Sequence, residues 1–285
     1  MKKFYKQRKK TEYRFSIICA TIGKYNQINK LCESLNRQIY KNFELIICDQ
    51  NKNNYNKNFI HIYKSLDIKF IKSKKGISKA RNKGIKLSKG DFLIFLDDDI
   101  IVERNYLYKI NNLLIKKRHN IIAYNVVNLQ KNTLLNYPKK NCYLNSTYQI
   151  FNSISSVSFV LDNKYRILFN ENLGLGSKNI YQSGEETDFI LRAVKKFDYK
   201  IYFKKSIRVI HQKIELPFFD ELKKKFLYGC GWGFVVKKNK LDSNFIIKNL
   251  IKIFLNTGYH FFTLNFKKMS ISISTLLGRI YGLIY

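Results

Sequence analysis

Proline is nearly absent: the 285-residue chain has 2, so no proline-rich linker separates rigid units. Cysteine is sparse and shows no pairing pattern. The 5 cysteines, Cys19, Cys32, Cys48, Cys142 and Cys230, are odd in number and include no CxxC pair. That argues against a disulfide framework and against zinc-ribbon spacing. Cys19 and Cys48 lie inside apolar runs and read as small buried hydrophobes in a reduced compartment. No apolar stretch is long and charge-free enough for a transmembrane helix. The basic opening, MKKFYKQRKK, is not followed by an apolar core, so a secretory signal is not expected. A cytoplasmic protein, or one held at the inner face of the cell membrane, is the expectation. No internal repeat is visible.

Acids are also scarce, at 20 against 53 Lys and Arg, which leaves a formal net charge of +33. A field of that sign attracts polyanions: nucleic acid, anionic lipid or a diphosphate. Lysine is enriched together with Asn, Ile, Tyr and Phe, as an AT-biased coding sequence would produce, so charge alone assigns no function. A hydrophobic fraction of 45% with 15% aromatics is ample for a core and excludes a mainly disordered chain.

The apolar runs alternate with helical periodicity. FSIICA (15–20) reads as a buried strand opening into a loop at Thr21, and Ile28, Leu31 and Leu35 follow at helical spacing. FELIICDQN (43–51) is a second strand, leading into an Asn/Lys-biased loop over 51–58. IKFI (68–71) is a third, and GISKARNKGIKLSKG (76–90) is a helix bracketed by glycines. DFLIFLDDDI (91–100) is a fourth strand ending in acids, and Leu107, Ile110 and Leu114 mark another helix. Strand–helix alternation predicts an α/β fold with a mainly parallel, Rossmann-like sheet flanked by helices. Ligands of such sheets bind beyond the carboxyl ends of the strands, where Thr21, Asp49 and Asp97–Asp99 all fall. After about residue 120 the rhythm weakens. SISSVSFVL (153–161) alternates like a half-exposed strand, Phe189, Ile190 and Ala193 mark a helix, and KIYFKKSIRVIHQK (200–213) reads as strand.

Three adjacent carboxylates, Asp97, Asp98 and Asp99, after an apolar strand repel one another and resist desolvation. A divalent cation such as Mg²⁺ or Mn²⁺ among them offsets both costs and can also hold a diphosphate. The plainer reading is an acidic turn or a helix N-terminus. SGEETDF (183–189) supplies Glu185, Glu186 and Asp188, either as a base for a reacting hydroxyl or simply as acids in a first helical turn. His211 is a candidate metal ligand or a structural histidine. Arg81 and Lys83 are candidate phosphate contacts or solvated surface.

In their order, these segments resemble glycosyltransferase family 2, the inverting family with the GT-A fold. IICATIGKYNQINKLCESLNRQIYKNFELIICDQN (17–51) is similar to the family's opening strand–helix–strand unit, GISKARNKGI to the segment before its metal strand, and FLDDDI to its DxD motif. FNENLGLGSKNIYQSGEETDFILRAV (169–194) resembles the acceptor-side segment, and YGCGWGFVVKK (228–238) a Gly-aromatic segment of polysaccharide-building members. The likeness runs over roughly residues 14–238. It implies that Asp49 contacts the nucleobase, that Asp97 lies near the ribose or the metal, and that Asp99 holds Mg²⁺ or Mn²⁺. His211 falls where some members carry a histidine on the metal or diphosphate. Glu186 stands where the catalytic Asp usually does, with Asp188 as its rival. The implied reaction is a single in-line displacement from a nucleotide-diphosphate sugar to a glycan or lipid-linked acceptor.

Two other classes remain open. A basic nucleic-acid-binding protein fits the charge and the scattered aromatics, but acids at strand tips repel phosphate, and no RNP, zinc-finger or basic-zipper signature is present. A nucleotidyl- or phosphotransferase could share the sheet and the metal site; the missing GxxxxGK[ST] loop only weakly disfavours it. The expected division is a basic extension over 1–13, a catalytic domain over 14–240 and an amphipathic helical region over 241–285. In that last region Ile247, Leu250, Ile251 and Phe254 share a helical face beside Lys248 and Lys252. This pattern suits either packing on the domain or an anionic membrane surface.

Overall fold

A computed structural model describes residues 12–23, 25–51, 62–211 and 216–285. Nearly all of the basic extension, and all of the Asn/Lys-biased loop except Asn51, lie outside the described residues. The opening unit is β1 (Phe15–Thr21), α1 (Tyr25–Asn36) and β2 (Phe43–Asp49), followed by β3 (Ile68–Lys72), α2 (Ile77–Leu87) and β4 (Phe92–Asp97). These four strands pair in parallel in the order β3-β2-β1-β4. β1 and β2 are buried along their whole length, because helices cover both faces of the sheet. Phe15, Ile17 and Cys19 face one way and pack with Ile28, Leu31 and Leu35 of α1. Ile18 and Ala20 face the other way, toward Ala80 and Ile85 of α2. One strand therefore feeds two cores, as its period of two requires.

The second half is more mixed than the alternation of motifs predicts. Next come β5 (Ile100–Val102), α3 (Tyr106–Lys116), β6 (Ile121–Val127), β7 (Cys142–Tyr143), α4 (Thr147–Ser153), β8 (Phe159–Asp162), α5 (Glu185–Phe197) and β9 (Ile201–His211). β8 wedges between β4 and β6, antiparallel to both, while β9 runs parallel to β6 and antiparallel to β5. The half-exposed strand expected over 153–161 is instead two things. The Ser158 hydroxyl closes a turn by accepting from the Ser155 amide and donating to the Ser155 carbonyl, and the strand proper, Phe159–Asp162, is buried at every residue. The serines of the turn imitated a period-two pattern.

Three helices end the chain: α6 (Phe218–Lys238), α7 (Ser243–Phe262) and α8 (Phe266–Ile284). α6 and α8 meet backbone to backbone. A Cβ at Gly282 would lie 2.1 Å from the Cys230 carbonyl oxygen, and one at Gly278 2.1 Å from that of Phe226. Glycine spaced by four on each helix, Gly229 and Gly233 against Gly278 and Gly282, permits this approach. The YGCGWG segment is thus a helix-packing seam. Gly282→Val is expected to cost about 1–3 kcal/mol through overpacking, lowering Tm by several degrees in a circular-dichroism melt. An unchanged melt would mean that α8 is not docked on α6. α7 packs less deeply: none of its residues is buried, and Ile247, Ile251 and Phe254 are exposed while Leu250 is half-buried.

Candidate active site

The carboxyl ends of β1, β2 and β4 lie side by side, with Thr21 in register with Asp49, and Ala20 with Asp97. Asp49 is fully buried and accepts hydrogen bonds from the Asn51 backbone at 3.0 Å and side chain at 2.8 Å, and from Lys72 Nζ at 2.6 Å. Lys72 was not singled out from the sequence. Its signal is that it ends β3 in register with Asp49. Thr21 donates to Asp98 Oδ2 at 2.6 Å and accepts from the Gly23 amide at 3.0 Å. Asp98 is thereby turned inward to the sheet, and its two neighbours are left for the crevice.

Sheet pairing then brings in the histidine. β5 begins one residue after Asp99, and Ile100 pairs with His211. His211 Nε2 lies 3.3 Å from Asp99 Oδ2, and that hydrogen bond raises the histidine pKa against the opposing effect of burial. Asp97, Asp99 and His211 each offer one ligand atom within 4.8 Å of the others. Asp99 Oδ1 is buried with no hydrogen-bond partner among the described residues. An orphaned carboxylate oxygen in a cluster of two carboxylates and an imidazole fits a divalent cation, which would supply the missing contact.

Arg81, from α2, is 1% exposed. Its guanidinium bridges Asp97 Oδ1 at 2.9 Å and Glu185 Oε1 at 3.0 Å, linking the tip of β4 to the start of α5. Both terminal nitrogens are engaged by carboxylates, so a donor phosphate would compete with them. Lys83 instead hydrogen-bonds the backbone carbonyl of Lys72.

The three acids of α5 sit in different surroundings. Glu185 is held by Arg81. Asp188 is fully buried and gives one oxygen to Arg192 Nε at 2.9 Å and the other to Lys238 Nζ at 2.7 Å. Glu186 forms no ion pair among the described residues. Burial first, and then the adjacent Glu185 carboxylate, hold its pKa well above the usual carboxylate range. The Tyr228 carbonyl of α6 accepts from Ser183 Oγ at 2.8 Å, just before α5. Burial first, then the charges of Glu185, Glu186 and Asp97, raise the Tyr228 pKa, so α6 packs beside the α5 acids. Sequence patterning gave no hint of Tyr228 as their neighbour. Burial pushes the Cys48 thiol, beneath the crevice floor, up to about 12, so it is not an activated nucleophile.

Residues 16–174 match the model of Glycosyl transferase family 2. The chain belongs to this family. Among curated members, it is 38% identical over 86 residues to the UDP-Glc:alpha-D-GlcNAc-diphosphoundecaprenol beta-1,3-glucosyltransferase WfaP of Escherichia coli, covering 30% of this chain and 34% of that one. To WfgD, the Escherichia coli enzyme of the same description, it is 26% identical over 126 residues, 44% of this chain and 50% of that one. The chain thus spans between a third and a half of the length of these relatives. A crystal structure of S. aureus TarS in complex with UDP-GlcNAc superposes with a TM-score of 0.58 at 18% identity, over 79% of this chain and 71% of that one. At that identity the likeness is one of fold. It agrees with the GT-A type sheet and flanking helices expected from the sequence, and the acidic cluster of this family 2 chain lies at the end of β4, the strand expected to carry the DxD motif.

Proposed function

We propose that the chain is an inverting glycosyltransferase that moves a sugar from a uridine diphosphate donor to a hydroxyl of a lipid-linked glycan acceptor in surface polysaccharide synthesis. The observation that carries this reading is the convergence of the Asp97, Asp99 and His211 ligand atoms within 4.8 Å, with Arg81 bridging Asp97 to Glu185, the neighbour of a Glu186 that forms no ion pair among the described residues. The donor and acceptor classes are suggested by the substrates in the names of WfaP and WfgD and by the UDP-GlcNAc bound to TarS.

In this reading Asp49 and Thr21 border the nucleoside. A Mg²⁺ or Mn²⁺ held by Asp97, Asp99 and His211 would offset the charge of the departing diphosphate. Glu186 takes the proton from the acceptor hydroxyl as that oxygen attacks the anomeric carbon. The diphosphate leaves from the opposite face, so configuration inverts and no covalent enzyme intermediate is needed. Arg81 positions Asp97 and Glu185, and Asp188 anchors α5 through Arg192 and Lys238. No nucleic-acid partner is expected at the crevice, whose carboxylates repel phosphate except where a metal intervenes. An imidazole ligand favours Mn²⁺ over Mg²⁺, since nitrogen donors bind later first-row metals better.

The test is a screen of nucleotide sugars with either metal, scoring nucleotide diphosphate release. UDP-glucose or UDP-GlcNAc is expected to turn over, faster with Mn²⁺ than with Mg²⁺, and not in excess chelator. Turnover of a nucleoside triphosphate instead, or salt-dependent DNA binding with no sugar-nucleotide turnover, would overturn the reading.

A further inference from the structure

The three C-terminal helices leave apolar surface open to water that the catalytic crevice does not use. Among the described residues no helix is long and apolar enough to cross a membrane. The α7–α8 turn nevertheless carries Phe261, Phe262, Leu264 and Phe266, all more than half exposed, with Phe262 at 83%. Lys267 lies over the Phe218 ring at 6.0 Å, which sets this turn beside the start of α6. There Phe219 is 80% exposed. The exposed stripe of Ile247, Ile251 and Phe254 extends the apolar surface along α7, flanked by Lys248 and Lys252. From Ser243 to the final Tyr285 the chain has no Asp or Glu, but it has Lys248, Lys252, Lys267, Lys268 and Arg279.

We propose that this aromatic tip, Phe219 with Phe261–Phe266, inserts into the surface of an anionic bilayer and holds the crevice over it. Aromatic rings concentrate at the membrane interface, and lysine stems bury their methylenes while the ammonium groups reach anionic headgroups. The charge selects this occupant over a second copy of the chain. In a two-fold pair the same patch meets itself. Asp220 and Glu221 follow Phe219, but Lys223, Lys224, Lys225, Lys267 and Lys268 outnumber them, so the tip is net basic and a pair would set like charges together. An anionic lipid surface turns the same charges into attraction.

The placement also suits the proposed lipid-linked acceptor, on which this reading of the tip's purpose rests. α6 begins at the tip, passes Lys224, whose charge is felt by His211, and reaches Tyr228 beside the α5 acids. Ten residues of helix span about 15 Å. A tip seated in the headgroups therefore keeps the crevice within reach of a sugar displayed on a membrane-bound diphosphate.

The experiment is flotation of the full chain with vesicles of equal parts phosphatidylglycerol and phosphatidylcholine, against vesicles of phosphatidylcholine alone. Neither donor nor acceptor is present, so its outcome is independent of the proposed chemistry. Wild type is expected to float with the anionic vesicles and to bind them less as salt rises. The double variant Phe219→Ser/Phe262→Ser should bind at least tenfold more weakly, and Lys267→Gln/Lys268→Gln should lose the preference for anionic lipid. These positions are exposed, and an unchanged circular-dichroism melt checks that each variant folds. No flotation of wild type at low salt, or equal flotation of wild type and the Phe variant, would overturn the proposal. A wild-type dimer that becomes monomeric in the Phe variant would also overturn it, by assigning the patch to a second copy.

Discussion

Asp99→Asn is expected to remove nearly all turnover while leaving the fold intact. The two side chains have the same shape, and Asp99 Oδ1 has no hydrogen-bond partner among the described residues to lose. What changes is charge. Asp99 is one of two carboxylates in the ligand cluster, with Oδ2 3.3 Å from His211. Loss of a cation's stabilisation of a leaving diphosphate amounts to several kcal/mol, and each 1.36 kcal/mol is tenfold in rate, so a fall of about 10³ or more is expected. Asp98→Asn is the internal control. Asp98 is spent on Thr21 at 2.6 Å, a bond that an amide oxygen can still accept, so its loss of rate should be much smaller. The measurement is diphosphate release with saturating Mn²⁺, beside a thermal melt of each variant. Near-normal rates for Asp99→Asn, or full activity of wild type in excess chelator, would remove the metal from the mechanism.

The half of the molecule that could be read from sequence is the half where local pattern and burial agree. β1, β2 and β4 are near-continuous apolar runs, broken only by Ser16 and Glu44, because helices cover both faces, and each ends in the polar residue that marks the crevice: Thr21, Asp49 and Asp97. The second half was less legible because its order is set by pairing between distant segments. β8 enters the sheet between β4 and β6 after a serine turn that mimicked strand alternation. The site followed the same division. The acidic triplet could be seen as a run, but only the pairing of Ile100 with His211 places the imidazole on Asp99. Spacing along α5 shows only one pair, Arg192 four residues after Asp188. Arg81 reaches Glu185 from α2, and Lys238 reaches Asp188 from the end of α6, and no local window contains those partners.

Glu186→Gln is expected to cut the rate by roughly 10²–10⁴ and to make the protein more stable at the same time. Burial and Glu185 raise the Glu186 pKa well above the ordinary value, so ionising Glu186 costs more in the folded chain than in the unfolded one. The linkage has a definite sign. A carboxyl whose folded pKa exceeds its unfolded value of about 4.3 contributes its full stability below that value. The contribution is lost as pH rises through the folded pKa. Glutamine cannot ionise, so Glu186→Gln should melt above wild type at pH 8 and together with it near pH 4. The same shift places the acid limb of the wild-type rate profile well above the usual carboxylate range, and that limb should vanish in the variant. Asp188→Asn is expected to behave oppositely. Both Asp188 oxygens are already held, by Arg192 and Lys238. Those two cations are each about a third exposed, so water can take them up and the cost should fall below the roughly 3–5 kcal/mol of a fully buried pair; the signature is still a lower melt. Diphosphate release across pH, with melts at the two pH values, separates the two acids. If Asp188→Asn abolishes turnover without lowering the melt, and Glu186→Gln keeps its rate, then Asp188 is the base and Glu186 is not.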